Sequence, residues 1–421
     1  MNNQDIKLKV ILWGDVIGYI TWDDISQTAT FQFTNTYHKK GYNLQPTRPS
    51  KPIPAFSGIP GDRYHGLPPF IADSLPDNWG SLVFEQWAKE KGLTAKELNP
   101  LVKLAYIGKR GMGAFEFIPE IKTESRDETD IESLEILAQK TYRERSNYIV
   151  KESEHEIFNS LAELGTPPGG AHSKILVAIN DNDKTLMSGQ TEAKEGYSQY
   201  ILKFKEDYSI PSAEIEFAYY LMAKDAGISM MPSQLIEING NRHFLTKRFD
   251  RKDSRKLLSQ TMAALIPNAS DYQNLFFLCR TLKLKEEERT ELFRRMCFNV
   301  VAGNTDDHNK NFSFLMYPDG HWELSPAYDI TFTADIWKHS DGDVHSLGIY
   351  SKRCYLTAND LITFGNDFEI KDPEIILSRV CGTVSRFRQI ASKLNISEIW
   401  IERICESLDK VFSERKRCIL R

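Results

Sequence analysis

The order of elements between residues 164 and 250 restricts the fold of this chain more than any other feature. LGTPPGGAHSKILVAI is a Gly/Pro-rich loop running into a β-branched apolar strand, and YSQYILKFK is a second strand with Lys203 inside its apolar run. AEIEFAYYLMAKDAG follows as a helix, with Ser212 as its expected cap and Gly227 as its left-handed stop. SQLIEINGNRHFLTKRFD is a hairpin whose Asn239-Gly240 suits a type I′ turn. Glycine loop, strand, lysine strand, helix and hairpin are thus in place before any catalytic motif appears.

The flanks read differently. KLKVILWGDVIGYITWD alternates around turn residues Gly14 and Asp15, and ATFQFT adds a strand, so the chain opens on a small antiparallel sheet. Residues 41–69 are rich in Pro and Gly and read as irregular loop. Trp79, Leu82, Val83, Phe84 and Trp87 form one face of a helix from Asp77 to Gly92, and Thr94-x-x-Glu97 resembles a capping box for a second helix ending near Gly108. A charged stretch, TESRDETDIES, suggests a connector. EEERTELFRRMCFNVVAG is a helix, NTDDHNKN a polar loop, FSFLMYPDGHWELSP a hairpin turned by Pro318-Asp319-Gly320, and the remainder beyond Leu356 is helical. Together these elements make α+β the expected fold class.

Composition narrows the function. With 421 residues the chain is long enough for two sizeable cores, and its 41% hydrophobic and 26% charged residues are those of a water-soluble protein. The start, MNNQDIKLKV, has no basic n-region followed by an apolar run, so a cytoplasmic location is expected. Six cysteines without C-x-x-C spacing are read as reduced thiols, neither a zinc ribbon nor a redox pair. A formal net charge of -5 offers no global attraction to a nucleic-acid backbone, and the basic stretches RFRQIASK and SERKRCILR read as solvated helix faces.

The sharpest chemical signal is Asp306-x-x-x-x-Asn311 in the polar loop, with Asp329 after the next hairpin. Phosphoryl transfer needs an aspartate that orients the attacking hydroxyl and oxygen ligands that hold magnesium against the ATP phosphates. Protein kinases use the same five-residue step from catalytic Asp to metal-binding Asn, here without the H-R-D or D-F-G letters. The bland reading is a turn-rich polar loop. A lysine in an apolar strand needs a reason, which an ATP phosphate and a pairing with Glu216 would give Lys203; otherwise it points from a solvent face. Gly169 and Gly170 allow backbone N–H groups near phosphates, with Lys174 adding charge. His308 and Lys310 either touch nucleotide or brace the loop. Asp307 stands beside Asp306 as an alternative base.

GNTDDHNKNFSFL, LSPAYDI, PGGAHSK, TKRFDR, IADSLPDNWG and YIGKRGMGAFEF together resemble, in order and spacing, the HipA-like toxins of bacterial type II toxin–antitoxin systems. The resemblance implies a bilobal protein-kinase-like fold, with an N-terminal β-rich subdomain over 1–120, an N-lobe with the glycine loop and phosphate lysine over 121–250, and a helical C-lobe with the catalytic loop over 251–421. It implies a serine/threonine protein kinase that uses ATP and Mg2+, phosphorylates a cellular protein such as an aminoacyl-tRNA synthetase, and is neutralised by a small helix-turn-helix, HipB-like antitoxin through which alone it meets DNA. It implies Asp306 as catalytic base and Asn311 and Asp329 as metal ligands. Gly169, Gly170, Ala171, His172, Ser173 and Lys174 are similar to the phosphate loop, Lys203 to the phosphate lysine, Lys247, Arg248 and Phe249 to the adenine-lining segment, and His308 to Asn311 with Tyr328 to further nucleotide contacts. Where the family often carries an autophosphorylated serine this chain has Pro167, which leaves Thr166 and Ser173 as the nearest hydroxyls. Two other readings stay open: a non-catalytic kinase-fold co-repressor working with a DNA-binding antitoxin, and a small-molecule kinase.

Overall fold

Strict alternation builds the first sheet. In the computed structural model Leu8, Val10 and Leu12 of the strand Lys7–Leu12 are buried and Lys7 is exposed. This strand pairs antiparallel with Asp15–Asp23 across a turn in which Trp13 (φ 50°) and Gly14 (φ 84°) both adopt the left-handed region, as a type I′ hairpin requires. The turn is therefore Trp13-Gly14, one residue earlier than Gly14-Asp15, because Asp15 is already paired with Leu12. Thr28–Phe33 joins the sheet as expected, Phe115–Ile118 pairs with the other side of Lys7–Leu12 where no strand was expected, and Ala55–Ser57 adds an edge strand inside the stretch read as irregular loop. The structure describes residues 7–48, 54–61, 63–94, 97–121, 130–180, 182, 186–188, 196–253, 255–334 and 344–419. Most of the charged stretch expected as a connector lies outside them.

By its internal contacts the chain forms two units: Met1–Asp207 with Ile236–Gln260 and Leu315–His321, and Tyr208–Leu235 with Thr261–Phe314 and Trp322–Arg421. These cuts differ from the motif-based segments at 120 and 250, because the helix Ser212–Ala226 packs with Pro373–Val384 and Phe387–Lys393.

The first unit holds the small sheet and a second antiparallel sheet, ordered Leu186–Ser188, Lys174–Asn180, Tyr197–Lys203, Asn241–Lys247, Ser233–Ile238. Ile175, Val177, Leu202 and Leu245 point from one of its faces into a core shared with Trp79, Phe84 and Trp87 of the helix Asn78–Glu90 and with Phe158 and Leu161 of His155–Gly165. Each such side chain contributes about 1.5–3 kcal/mol by leaving water. The helix ending at Gly108 starts at Pro100, with Asn99 accepting from the N–H groups of Leu101 and Val102; Glu97 instead closes a local turn on Thr94, with Glu97 Oε2 2.8 Å from its N–H and 2.6 Å from its hydroxyl. Asn99 wins the cap because Pro100, with no N–H to satisfy, is suited to the first helical position.

The second unit is mainly helical. Leu292, Phe293 and Met296 to Val301 are buried along Glu286–Val301, which ends in Ala302 and a left-handed Gly303 (φ 66°). Ser212–Ala226 starts behind Pro211, and no side chain caps it, so Ser212 is its first residue and not its cap. Gly227 (φ 89°) stops it as expected. Ala358–Asp367, Pro373–Val384, Phe387–Lys393 and Glu398–Ile419 form the expected helical C-terminal region. Among the described residues no helix is long and apolar enough to cross a membrane, and Cys279, Cys297, Cys354, Cys381 and Cys405 are free thiols.

Candidate active site

The glycine loop begins where the helix His155–Gly165 stops. Thr166 is fully buried and its hydroxyl donates to Ala162 O at 2.6 Å; Ser173, at the other end, is also fully buried and its hydroxyl meets no hydrogen-bond partner. Neither hydroxyl is accessible without opening the loop. Gly170 (φ 109°) carries a backbone that a side chain would strain, and a Cβ there would lie 2.2 Å from Lys174 Nζ. Its N–H donates to Asp77 Oδ2 at 2.9 Å, and its carbonyl accepts from Trp79 N–H at 3.3 Å. Trp79 Nε1 donates to Lys174 O at 2.9 Å, and a Cβ on Gly80 would lie 2.3 Å from Thr166 O, so residues 77–80 touch the loop at its start, middle and end. Ser173 N–H donates to Glu206 Oε1 at 2.5 Å, and His172 Nδ1 lies 3.0 Å from Glu206 Oε2.

Strand register decides which lysines share a face. Lys174 stands directly opposite Lys203, and Lys203 opposite Phe244, so all three project from the same side of the sheet, away from the core row Ile175, Leu202, Leu245. Like charges directly opposite each other are destabilising unless an anion or acceptor intervenes. Lys174, 3% exposed, donates to Gly169 O at 2.7 Å, and the Lys203 ammonium lies 5.8 Å from the Phe244 ring centre. Leu176 and Ile201 form the next row on that side, giving a charged end and an apolar middle.

The expected adenine-lining segment divides. Lys247, three residues beyond Phe244, projects from the opposite face and donates to Ser198 Oγ at 3.0 Å. Arg248 is buried: Nε and Nη2 donate to Asp250 at 2.9 and 2.8 Å, and its backbone N–H donates to Gln199 O. Arg251 also pairs with Asp250 at 2.9 Å and donates to Gly111 O and Gly113 O, while Gly113 N–H donates to Asp250. Burial alone would raise the Asp250 carboxyl, but Arg248 and Arg251 outweigh it and hold it well below the usual range. Burial, then the like charge of Arg248, pushes Arg251 down to about 10. The TKRFDR motif is thereby tied to the YIGKRGMGAF segment, leaving half-buried Phe249 and the backbone as the parts of this stretch suited to a ligand.

In the second unit the polar loop after Gly303 alternates like a strand. Thr305, Asp307 and Asn309 are buried, whereas Asp306 and Lys310 are exposed and His308 and Asn311 half-exposed. Asp307 accepts from Tyr272 hydroxyl at 2.6 Å and from the N–H groups of Ser346 and Leu347 at 2.8 and 3.3 Å, with His345 Nδ1 at 3.0 Å. Burial first, then the Asp307 charge, raises Tyr272 well above an ordinary phenol, so it stays a donor. Asp306 has a side chain 50% exposed, with His308 Nε2 at 4.0 Å from its carboxylate. The backbone N–H groups of Thr305 and Asp306 both donate to Thr333 Oγ1, at 2.7 and 3.1 Å. Asn311 Nδ2 donates to Asp306 O at 2.8 Å, which leaves Asn311 Oδ1 as the remaining acceptor of this side chain.

The following hairpin is pinned at its end. Leu324 N–H donates to Glu288 at 2.7 Å, buried Arg295 donates to Ser325 O at 2.8 Å, and Ala327 N–H donates to Ser229 O at 2.8 Å. Tyr328 hydroxyl donates to Lys310 O at 2.7 Å and lies 2.5 Å from Ser313 Oγ, linking this segment to the polar loop. Asp329 is half-buried with φ 50°, a conformation Asp tolerates better than most residues. Glu216 is half-buried on Ser212–Ala226 in this second unit, while Lys203 belongs to the first.

Asp77, Glu206, Thr333, Tyr272 and His345 escape motif reading because each acts on a residue far away in sequence; only Asp77, within SLPDNWG, sits in a stretch that already stood out.

The model of the HipA-like C-terminal domain matches residues 166–409, and that of the HipA N-terminal domain residues 8–118. The serine/threonine-protein kinase toxin HipA of Shewanella oneidensis is 22% identical over 359 residues, 77% of this chain and 75% of its own. A Haemophilus influenzae relative is 30% identical over 189 residues, 40% of this chain and 52% of that one. Among solved structures, that of the Shewanella oneidensis toxin–antitoxin complex of HipA, HipB and operator DNA shares this fold, with a TM-score of 0.64 at 17% identity over 97% of both chains. A domain match over more than half of the sequence, joined by the N-terminal match, means that the chain belongs to the family of HipA-like kinase toxins.

Proposed function

We propose that this chain is an ATP-dependent protein serine/threonine kinase acting in the cytoplasm as the toxin of a bacterial toxin–antitoxin pair, with Asp306 as the base for the acceptor hydroxyl. The observation that carries the reading is the contrast between neighbouring carboxylates. Asp307 is saturated and buried, whereas Asp306 is exposed on a backbone held by Thr333 and Asn311, as a group that must meet an incoming hydroxyl needs to be. A co-repressor that only bound nucleotide would have no use for such a base. The facing lysines Lys174 and Lys203 support ATP as ligand, since two ammonium groups on one side of the sheet, next to the glycine loop, suit triphosphate oxygens. The donor chemistry of Asn311 Oδ1 and the Asp329 carboxylate fits a hard divalent cation such as magnesium, which when bound neutralises phosphate charge and fixes the transferring group. A HipB-like antitoxin is the proposed partner, supported by the HipA–HipB–DNA neighbour, with DNA reached only through it. A protein acceptor, of which an aminoacyl-tRNA synthetase is one candidate, follows the kinase-toxin relative.

The decisive experiment pairs Asp306→Gln with Asp307→Asn in labelled-ATP transfer assays on a cell extract. Asp306→Gln should lose transfer by about a thousandfold or more while binding ATP within a few-fold of the parent; Asp307→Asn should retain transfer in whatever fraction folds. The reverse pattern would move the base to Asp307. Calorimetry on Asp329→Ala should show magnesium-dependent ATP affinity lost, and unchanged affinity would remove Asp329 from the metal site.

A further inference from the structure

Asp77 occupies the N-cap position of the helix Asn78–Glu90, yet its side chain caps nothing in that helix. Giving up a cap of this kind costs about 1 kcal/mol. The carboxylate goes instead to Gly170 N–H at 2.9 Å, 93 residues away. Glu206 does the equivalent on the far side of Ala171 and His172, taking Ser173 N–H at 2.5 Å with Oε1 and holding His172 Nδ1 at 3.0 Å with Oε2. Between these two attachments lie Ala171 and His172, both exposed, whose backbone N–H groups make no hydrogen bond among the described residues. Trp79 and Gly80 fix the rest of the loop through Gly170 O, Lys174 O and Thr166 O.

We propose that Asp77 and Glu206 are positioning residues that brace the glycine loop on either side of Ala171 and His172, so that phosphate is held by the N–H groups of these two residues and not by that of Gly170. This rests on the ATP reading above and assigns its division of labour. A flexible loop with two outward N–H groups loses conformational freedom each time it closes on an anion; a loop already tied to carboxylates on either side of them has little left to lose. Charge-assisted hydrogen bonds from backbone N–H to carboxylate are the stronger kind, and they leave the exposed N–H groups of Ala171 and His172 as donors still to be satisfied.

The test measures MgATP and adenosine affinity side by side by calorimetry, with thermal melts to confirm folding. Asp77→Ala and Glu206→Ala should each weaken MgATP by about tenfold and leave adenosine, which has no phosphate, within about twofold. Asp77→Asn and Glu206→Gln, whose amide oxygens still accept an N–H, should recover most of the loss. Alanine variants that bind MgATP as tightly as the parent, or more tightly, overturn the brace, the latter because the carboxylate would then be competing with phosphate. Parallel weakening of both ligands also overturns it, since general damage explains that. A parent protein that binds adenosine but not MgATP overturns the phosphate reading itself, and the brace with it.

Discussion

The glycine loop at 166–173 and the polar loop at 303–311 are both turn-rich and both candidates for the same chemistry, but they are held in opposite ways. In the glycine loop the groups offered outward are backbone N–H groups, and the restraints are side chains from elsewhere, Asp77, Trp79 and Glu206. In the polar loop the groups offered are side chains, Asp306, His308, Lys310 and Asn311, and the restraints come largely from the loop's own alternate residues, Thr305, Asp307 and Asn309, turned inward. A loop can expose its backbone only if other segments hold it. A loop that exposes side chains can hold itself, because every second residue is free to face in.

Replacing Asp307 by Ala should have the largest effect, because it strands the Tyr272 hydroxyl and two backbone N–H groups in the interior. We expect a loss of about 3–5 kcal/mol in denaturant unfolding, against less than about 0.5 kcal/mol for Asp306→Ala. Equal costs would break the inward–outward alternation. Thr333→Val removes the acceptor shared by the Thr305 and Asp306 N–H groups and should cost about 1–3 kcal/mol. In transfer assays kcat should drop while the KM for ATP stays put; a change confined to KM would place Thr333 in the wrong loop's service. Smallest is Gly170→Ala, which sets a side chain at φ 109° against the movable end of Lys174. About 1–2 kcal/mol is expected, with weaker MgATP binding and unaltered acceptor preference at saturating ATP.

Much of the fold was legible because its signals are local. The Asn239-Gly240 turn takes φ values of 49° and 72°, Gly227 stops its helix, and the apolar face Trp79, Val83, Phe84, Trp87 is buried. Local reading failed where two local rules competed. Ser212 lost the cap position to Pro211, and Thr94 lost the next helix to Asn99-Pro100, whose rigid proline marks the start more strongly than a capping box one turn earlier. The five-residue step from Asp306 to Asn311 was equally local, and it marked the loop in which Asn311 Nδ2 meets Asp306 O.

The five-residue step to Asn311 favoured Asp306 as the base, but sequence alone could not show which of the two neighbours is buried, because adjacent residues of one type look alike until something packs on one of them. Tyr272, His345 and the Ser346 amide arrive from 35 and more residues away and claim Asp307. Nor could it show that Lys247 turns its side chain from the face carrying Lys174 and Lys203, since that depends on which residues of three strands stand opposite one another. The amino-acid order by itself determined most of the helices and hairpins, which depend on periodicity within a few turns of chain, and its motifs carried the resemblance to the family and the short list of candidate residues. Which of those side chains face outward was decided only by tertiary structure, because burial and hydrogen bonding are properties of partners that the chain brings together from far apart.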